Sequence, residues 1–274
     1  MNPSLEIFSL VGRHVVISGG CGLLGPHFAR GLLRAGATVG LLDVNATKLG
    51  QTVEMLATEF GSAVKGYVCD ITNEASVVQT VTDLERSAPI FGLINSAAID
   101  PKTDHEKSGT IVGDFVEYPL ENWRLSMEVN ITGTFLLSRE VCRHLQKRRR
   151  GSIVNVASTY GLVAPDQQLY VEGCPDKPFR KPGDYPTSKA AVVGFTKYLA
   201  AYYANMGIRV NCLVPGGVFN NHSDAFVQAY SSRTLLGRMA QPTEFDGALV
   251  YLMSDASSYV TGTNLVVDGG WTAI

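Results

Sequence analysis

Short apolar runs that are rich in β-branched residues alternate along the chain with longer segments of mixed character. The runs cover residues 14–18, 38–43, 64–70, 91–95, 152–158, 209–214 and 264–267. Most intervals are long enough for a helical crossover, which needs about 10–12 residues. Continuous apolar strands are typical of parallel sheets covered on both faces. The pattern therefore predicts an α/β protein with a single doubly wound parallel β-sheet and helices on both faces.

Two of the intervals predict long helices, over residues 121–146 and 185–206. The second repeats apolar residues at helical spacing, namely Val192, Val193, Phe195, Leu199, Tyr202 and Met206. This face packs against the sheet or, because the segment also carries many small residues and tyrosines, lies partly against a second subunit. The sequence leaves both interpretations open.

Two polar stretches rich in Pro and Gly interrupt the alternation, at residues 99–119 and 159–183. Long loops in compact α/β proteins are commonly lids or binding loops, so we predict that both contact a substrate. A simple surface excursion is the alternative. The sequence shows no linker between two halves, so residues 1–274 are expected to form one domain.

Composition narrows the classes of function. The chain has 23 Lys and Arg against 25 Asp and Glu, a net charge of −2, which argues against a nucleic-acid partner. The basic run at residues 147–150 is interpreted as a solvated helix end. Five scattered cysteines without a C-x-x-C pair predict a reducing compartment and no metal site. The N-terminus does not resemble a signal peptide, and no apolar run approaches ~18 residues, so we expect a cytoplasmic protein without membrane contact.

A glycine-rich turn follows the first predicted strand. Gly19, Gly22 and Gly25 recur at three-residue spacing, with Leu24 before the last of them, and a helical segment follows. Glycines permit a tight turn and the close approach of a pyrophosphate, and a helix N-terminus favours negative charge. This context predicts a dinucleotide site, with a tight turn that binds no ligand as the alternative.

Asp43 ends the second predicted strand, 18 positions after Gly25. A carboxylate there can accept hydrogen bonds from the adenosine ribose and would repel a 2′-phosphate. Val44 and Asn45 follow, so no Arg or Lys is adjacent to bind that phosphate. The sequence therefore favours NAD over NADP, with a helix-capping or solvated Asp43 as the alternative.

Tyr185 and Lys189 are four residues apart and share one face of the predicted helix. Pro186 is tolerated there only in the first helical turn. A nearby ammonium favours the phenolate and is expected to lower the pKa of Tyr185, which could then exchange a proton with an alcohol or carbonyl. By itself such a pair is more commonly a solvated helix face.

Further motifs that occur in a fixed order along the chain favour a catalytic pair over a solvated helix face. Along the chain they are SGGCGLLG, Asp43, CDIT, INSAA, EVN, IVNVAS, YPTSK, VPGG and VVDGGW. With these motifs the chain resembles the short-chain dehydrogenase/reductase family over residues 10–271. Within the family it looks most like the flagellin modification protein A subgroup, through GGCGLLG, STYGLVAPD, PGGVFNN, LGRM and SDASSYVTGTNLVVDGGWTA.

The resemblance implies a Rossmann-type NAD(H)-dependent oxidoreductase that moves a hydride to or from a secondary alcohol or ketone. The subgroup implies a polar, sugar-type substrate in surface-glycan or carbohydrate metabolism, and the family implies a homo-oligomer, a tetramer or a dimer. Three alternatives stay open: a 3-oxoacyl or other ketone reductase of the same family, a sugar-nucleotide epimerase or dehydratase, and a non-catalytic NAD-binding regulator.

The family also implies roles for individual residues. Tyr185 would be the general acid/base, and Lys189 would lower its pKa and bind the nicotinamide ribose. Ser158 would hydrogen-bond the reacting oxygen, while Asn130 would hold a helix bend and a water in a proton relay to Lys189. The other implied cofactor contacts are Gly19, Gly22, Leu24 and Gly25 in the turn, Asp43 at the ribose, Asp70 and Ile71 at the adenine, Asn95, Ser96 and Ala97 after the fourth strand, and Pro215, Gly216 and Val218 at the nicotinamide.

The sequence departs from the family pattern at several positions. Leu23 replaces the middle glycine of the family's shorter motif, INSAA replaces the usual N-N-A-G, and Asn220 stands where a phosphate-binding Thr is common. Ser158 and Tyr185 are 27 positions apart, which is wider than the usual spacing, and the additional residues form the stretch 159–183.

Overall fold

The computed structural model describes residues 3–100, 114–175 and 178–274. Within these ranges the chain forms one sheet of seven parallel strands in the order β3-β2-β1-β4-β5-β6-β7. The strands are β1 (His14–Ser18), β2 (Thr38–Asp43), β3 (Val64–Val68), β4 (Ile90–Asn95), β5 (Gly151–Val156), β6 (Ile208–Pro215) and β7 (Asn264–Val267). The predicted doubly wound parallel sheet is confirmed.

Helices connect the strands and cover both faces of the sheet. They are α1 (Gly25–Arg34), α2 (Ala46–Phe60), α3 (Glu74–Ser87), α4 (Leu120–Met127), α5 (Thr134–Arg148), α6 (Gln167–Glu172), α7 (Asp184–Tyr202), α8 (Asp224–Ser231) and α9 (Asp246–Met253). Asn45 and Asn73 cap α2 and α3, since each side-chain oxygen accepts a first-turn N–H at about 3 Å. Among the helices in the described ranges, none has the length and apolar character that a membrane span requires.

The two faces of the sheet carry separate apolar layers. On β1, Val15 and Ile17 pack in the layer that contains α1 and α9, whereas Val16 packs in the layer that contains α3 and α5. All three side chains are fully buried. This alternation follows the two-residue period of a strand, and burial on both faces is the reason that the strands are continuous apolar runs.

The long predicted helices differ from the structure at particular points. The segment 121–146 becomes α4 and α5, which are joined by a π-helical segment, Glu128–Gly133. The predicted helix 185–206 ends instead at Tyr202, because the chain turns through Gly207, with a φ of +65°, to enter β6. β3 and β5 each end two residues earlier than predicted, since the chain leaves the ladder there and enters the loops above the sheet.

The stretch 159–183, called the insert below, is largely folded. Its helix α6 buries Leu169 and Tyr170 in a small apolar cluster with Tyr230, Met239 and Trp271. Arg233 forms ion pairs with Asp166 at 2.6 Å and Glu172 at 2.9 Å, which tie the insert to α8. Residues 176–177 of the insert, and residues 101–113 of the predicted loop 99–119, lie outside the described residues.

Candidate active site

A cleft of about 1120 Å³ opens at the carboxyl ends of the strands. The order of the sheet reverses between β1 and β4, and in open α/β sheets ligands bind at such a switch point. The wall of the cleft consists of the glycine turn, of residues that follow β2 to β6, and of the insert. Sequence motifs that are far apart along the chain therefore meet in one place.

The glycine turn is shaped by close backbone contacts. Gly19 has a φ of +69°, and a Cβ on it would lie 2.8 Å from the Cα of Ala97. A Cβ on Gly25 would lie 2.3 Å from the carbonyl oxygen of Gly19. Gly19, Gly22 and Leu24 line the cleft, whereas Gly25 lies behind them as the first residue of α1. Since Leu24 has no side-chain acceptor to cap α1, the first N–H groups of this helix are suited to an anion.

Asp43 braces the glycine turn from the end of β2. Its Oδ2 accepts a hydrogen bond from the Cys21 N–H and its Oδ1 accepts one from the Asn45 N–H, both at 3.1 Å. A carboxylate offers about four acceptor sites, so about two remain available for a ligand. The cap of α2 is Asn45, so the capping alternative for Asp43 is wrong. Val44, the next residue, lines the cleft and is 69% exposed, which places an uncharged side chain beside the carboxylate.

Asp70 and Ile71 line the cleft together after β3. The Oδ1 of Asp70 accepts hydrogen bonds from the N–H of Thr72 at 2.9 Å and from its hydroxyl at 2.7 Å, which orders this loop. Ile71 is buried against Gly133, where a Cβ would come within 2.7 Å of the Ile71 side chain. Both predicted adenine contacts are therefore held in the cleft wall.

Ser18 organises the segment after β4, although the sequence analysis did not single it out. Its Oγ accepts hydrogen bonds from the Ser96 N–H at 3.1 Å and the Ala97 N–H at 3.2 Å. Ser96 and Ala97 line the cleft as predicted. A serine at the end of a strand gives no signal of this role, because its partners belong to a distant part of the chain.

Asn95, another predicted cofactor contact, has a buried side chain. Its side chain is 4% exposed, and its Nδ2 donates hydrogen bonds to Ser138 Oγ and Asn155 Oδ1, both at 2.8 Å. A contact of Asn95 with the cofactor would therefore come from its backbone and stays a prediction, since its side chain lies inside the sheet-helix layer. The physical reason is that a buried amide is stable only where polar partners are near, and α5 and β5 supply them beneath the cleft.

Tyr185, Lys189 and Ser158, the predicted catalytic residues, come together in the cleft. Tyr185 lies in the first turn of α7, as Pro186 predicted, and Lys189 lies one turn later. The Lys189 Nζ donates a hydrogen bond to the Val156 carbonyl at 2.8 Å and lies 5.6 Å from the centroid of the Tyr185 ring. Ser158 follows β5, and its hydroxyl hydrogen-bonds to Tyr185. Tyr185, Lys189 and Ser158 all line the cleft.

Burial controls the electrostatics of this cluster. It raises the pKa of Tyr185, as does the carboxylate of Asp100, while the hydrogen bond from Ser158 lowers it. Burial also lowers the pKa of Lys189 from 10.5 to about 8. The prediction that the pKa of Tyr185 is lowered is therefore wrong for the net shift in this structure. The reason is that both groups leave water, which penalises the phenolate and the ammonium alike.

Asn130 lies in the π-helical segment, where the helix bend was predicted. Its Oδ1 accepts a hydrogen bond from the Ile99 N–H at 2.8 Å, and its Nδ2 donates to the Ile99 carbonyl at 3.0 Å. The same Nδ2 lies 2.9 Å from the Ser188 Oγ on α7. Because Asn130 is 1% exposed, this clamp links the segment after β4 to the helix of Tyr185. π-bulges of this kind are frequent at functional sites.

The loop after β6 closes the cleft opposite α7. Pro215, Gly216 and Val218 line the cleft, as does Asn220, and their contact with the nicotinamide stays a prediction. A Cβ on Gly216 would lie 2.7 Å from the Cα of Asp268, so this loop passes directly over the backbone that follows β7. The predicted nicotinamide contacts therefore line the same cleft as Tyr185.

The insert supplies polar and aromatic side chains above Tyr185. Tyr160 and Tyr170 share a hydrogen bond between their hydroxyls at 2.7 Å. Lys181 is ion-paired with Asp100, and its Nζ lies 5.1 Å from the centroid of the Tyr185 ring. These four side chains line the cleft. Sequence reasoning located the two loops but missed Tyr160, Tyr170 and the pairing of Lys181 with Asp100, because this ion pair joins segments that are far apart in the sequence.

A doubly wound sheet with a glycine turn at its switch point, and with tyrosine, lysine and serine above its carboxyl edge, defines a class of nucleotide-dependent oxidoreductases. A family model described as short chain dehydrogenase matches residues 13–171, and one described as Enoyl-(Acyl carrier protein) reductase matches residues 175–272. The chain belongs to the short-chain dehydrogenase family. It is therefore a dehydrogenase that acts on CH–OH groups with a nicotinamide cofactor.

Curated relatives match nearly the whole chain. The 2,5-dichloro-2,5-cyclohexadiene-1,4-diol dehydrogenase of Sphingobium indicum is 35% identical over 274 residues, which cover 97% of this chain and 99% of the relative. The galactitol 2-dehydrogenase (L-tagatose-forming) of Cereibacter sphaeroides is 32% identical over 273 residues, with 97% of each chain covered.

Solved structures also match nearly the whole length of the chain. A gluconate 5-dehydrogenase from Burkholderia cenocepacia, in complex with NADP and tartrate, has a TM-score of 0.85 and 30% identity over 99% of each chain. A short chain dehydrogenase from Leptospira borgpetersenii with bound NAD+ has a TM-score of 0.80 and 32% identity, and covers 97% of this chain and 95% of that one. Both nicotinamide cofactors thus occur among the relatives.

Proposed function

We propose that the protein oxidises a secondary alcohol of a polyhydroxylated substrate with NAD, or reduces the corresponding ketone with NADH. The observation that carries this proposal is that Tyr185, Ser158 and Lys189 line the same cleft as Asp43. Together, Tyr185, Ser158 and Lys189 can accept a proton from an alcohol and return it to a ketone. The carboxylate of Asp43 would accept hydrogen bonds from the adenosine ribose, as the resemblance to the family implies.

The cleft fits a dinucleotide along its floor. Any Cβ at Gly19 or Gly25 would occupy space that the backbone already fills, so the turn leaves a smooth surface at the helix N-terminus. Asp43 and Asp70 would face the adenosine half, and Pro215 and Gly216 would face the nicotinamide half. When bound, NAD supplies the hydride acceptor.

Tyr185 is the proposed general base for oxidation and the general acid for reduction. During oxidation its ionised oxygen takes the proton of the substrate hydroxyl, and during reduction it returns that proton. Ser158 would hold the same substrate oxygen. Lys189 would bind the nicotinamide ribose and stabilise the phenolate, although burial alone raises the pKa of Tyr185. The relay through Asn130 and a water stays a prediction.

Asp43 supports NAD rather than NADP. A 2′-phosphate would meet the Asp43 carboxylate, with the uncharged Val44 beside it. Lys48 is the nearest cation in sequence, and its backbone N–H is bonded to the cap of α2. NADP is bound in the gluconate 5-dehydrogenase structure and NAD+ in the Leptospira structure, so the relatives alone do not decide between the two cofactors.

The lining of the cleft supports a polar substrate. Tyr160, Tyr170, Asp100 and Lys181 bring hydroxyls and charges to the space above Tyr185. An acyl chain in that space would desolvate the Lys181–Asp100 pair without replacing its water, which is unfavourable. The galactitol 2-dehydrogenase relative and the resemblance to the flagellin modification subgroup point in the same direction, toward carbohydrate.

Exposed aromatic side chains support the prediction of a homo-oligomer. Phe135 on α5 is 42% exposed, and Tyr198 and Tyr202 on α7 are 61% and 59% exposed. Neighbouring exposed aromatic groups on two helices are typical of a subunit interface. Light scattering should therefore give a dimer or tetramer, and Tyr202→Glu should reduce its mass. A monomer in the wild type would contradict this assignment.

The cytoplasmic location stays a prediction.

Absorbance of NADH at equilibrium with a panel of alditols, aldonates and sugars tests the proposal. We expect NADH to form with at least one secondary alcohol of this class. Binding of NAD without turnover of any alcohol or ketone would instead favour the non-catalytic regulator. Turnover confined to 3-oxoacyl substrates would favour the other alternative.

A further inference from the structure

We propose that Lys181 recognises a carboxylate of the substrate, so that the preferred substrate is a hydroxylated acid such as an aldonate rather than a neutral alditol. The proposal rests on the proposed function and adds the chemical class of the substrate. It assigns Asp100 the role of an internal partner that yields Lys181 to the carboxylate when the substrate binds.

The backbone of Lys181 is held in place from both sides. Its N–H donates a hydrogen bond to the Gln167 Oε1 at 2.8 Å, and its carbonyl accepts one from the Gln167 Nε2 at 3.1 Å. Gln167 is the first residue of α6, which is anchored in the apolar cluster of the insert. A single glutamine side chain thus fixes the segment from which Lys181 extends into the cleft.

The ammonium of Lys181 lies where a substrate would be oxidised. It is 5.1 Å from the centroid of the Tyr185 ring, and the Lys181 side chain is only 11% exposed. Since both residues line the cleft, a substrate whose hydroxyl contacts Tyr185 can bring a neighbouring group to this ammonium. A buried ammonium needs an anionic or strongly polar partner, because leaving it unpaired costs much more than burying an apolar group.

The two side chains of the Lys181–Asp100 ion pair differ in their exposure to water, which permits a substrate carboxylate to replace Asp100. The Asp100 side chain is 43% exposed, whereas that of Lys181 is 11% exposed. If the pair separates, Asp100 can recover water while Lys181 cannot. A substrate carboxylate that enters the cleft can therefore replace Asp100 at little cost, and it restores the ion pair at the same ammonium.

The charges around this space favour a single negative group. Among the described residues that line the cleft, the lysines are Lys181 and Lys189, and no arginine lines it. Lys189 is already directed to the Val156 carbonyl beside Tyr185. Asp100 and Glu128 also line the cleft, so a second negative charge on the ligand would be repelled. A carboxylate therefore fits this space better than a phosphate does.

Binding to the enzyme–NADH complex tests the proposal without turnover. NADH cannot oxidise an alcohol, so aldonates and the matching alditols, gluconate and glucitol among them, can be titrated by calorimetry. For at least one pair, we expect the wild type to bind the acid about ten- to hundredfold more tightly than the alditol. Lys181→Met should bring this ratio close to one, and Lys181→Arg should keep most of it.

Two further variants serve as controls. Arg180→Met removes the adjacent cation, which is exposed, and it should leave the ratio unchanged. Arg180 lines a second cavity of about 360 Å³, which Lys181 also borders, but it is not among the described residues that line the cleft. Asp100→Asn should tighten acid binding severalfold, because it removes the competing carboxylate. A wild-type ratio near one for every pair, or an equal loss for acid and alditol in Lys181→Met, would overturn the proposal. So would tighter binding of a hexitol phosphate than of the aldonates.

The two proposals fail separately in this design. The acid-to-alditol ratio is a binding measurement and does not depend on hydride transfer. If no alcohol is oxidised but the ratio follows Lys181, the carboxylate site stands and the dehydrogenase proposal is wrong. If alditols and aldonates are oxidised with equal efficiency and bind equally, the dehydrogenase stands and the carboxylate site is wrong.

Discussion

Removal of the Asp43 carboxylate should change the choice of cofactor. In the structure this side chain accepts hydrogen bonds from Cys21 N–H and Asn45 N–H. Asp43→Ala would remove both, so it would loosen the glycine turn as well as the ribose site. Asp43→Asn is the better first variant, because it keeps one acceptor and the shape while it removes the charge.

The expected size of the effect follows from two contributions. Two unit charges about 4 Å apart repel by about 1 kcal/mol in water and by about 4 kcal/mol at a dielectric constant of ~20. Asp43 is half-buried and a phosphate monoester carries about −1.5 to −2, so the repulsion of NADP is at least about 1.5 kcal/mol. Loss of the ribose hydrogen bonds to the carboxylate adds about 1.5–3 kcal/mol. At about 1.4 kcal/mol per tenfold, the wild type should prefer NAD(H) by at least ~10²-fold.

The assay is kcat/KM for NAD(H) and NADP(H) with one alcohol substrate. Asp43→Asn and Asp43→Ala should both erode the preference, chiefly by weakening NAD. Asp43→Ala combined with Val44→Arg should shift it toward NADP, because an exposed guanidinium then meets the 2′-phosphate. Equal use of both cofactors by the wild type would refute the reasoning, and would mean that Asp43 does not contact the ribose or that Lys48 compensates.

Three further predictions concern stability and the insert. Burial lowers the pKa of Lys189 from 10.5 to about 8, so between pH 8 and pH 10 the unfolded chain binds more protons at this site than the folded chain does. The free energy of unfolding of the wild type should therefore rise by about 2 kcal/mol relative to that of Lys189→Met over this range, and a difference between the two proteins that stays constant with pH in urea denaturation would contradict this. Gly25→Ala should lower the Tm and abolish NAD binding, whereas Gly50→Ala, where the Cβ meets open space within α2, should be neutral or slightly stabilising. Arg233→Met should raise KM for the substrate without changing the Kd of NAD, since Arg233 anchors the insert; an altered Kd would show that the insert also holds the cofactor.

Much of this architecture was predictable because it is encoded locally. The parallel sheet follows from apolar runs buried on both faces, and the pairing of Tyr185 with Lys189 follows from helix geometry. The position of Asp43 at a strand end also needs only the first two strands and the turn between them. In each case the relevant residues lie within one element or its immediate neighbour.

Other features depend on packing between distant segments. The contact of Lys181 with Asp100 joins positions 81 apart, and Ser18 reaches the segment after β4 across 79 positions. The Asn95 side chain turned away from the cleft because its partners lie on α5 and β5. The pKa of Tyr185 moved upward because burial depends on the whole cleft and not on the neighbouring lysine alone. None of these has a signature in the local sequence.

The most direct test of the account is the formation of NADH by the wild type and by Tyr185→Phe, with the alcohol that the panel identifies. The variant keeps the ring and its packing but loses the phenol that exchanges the proton. We predict that the Kd of NAD stays close to that of the wild type and that kcat falls by ~10²–10⁴. Turnover retained in Tyr185→Phe would contradict the assignment of Tyr185 as the general acid/base.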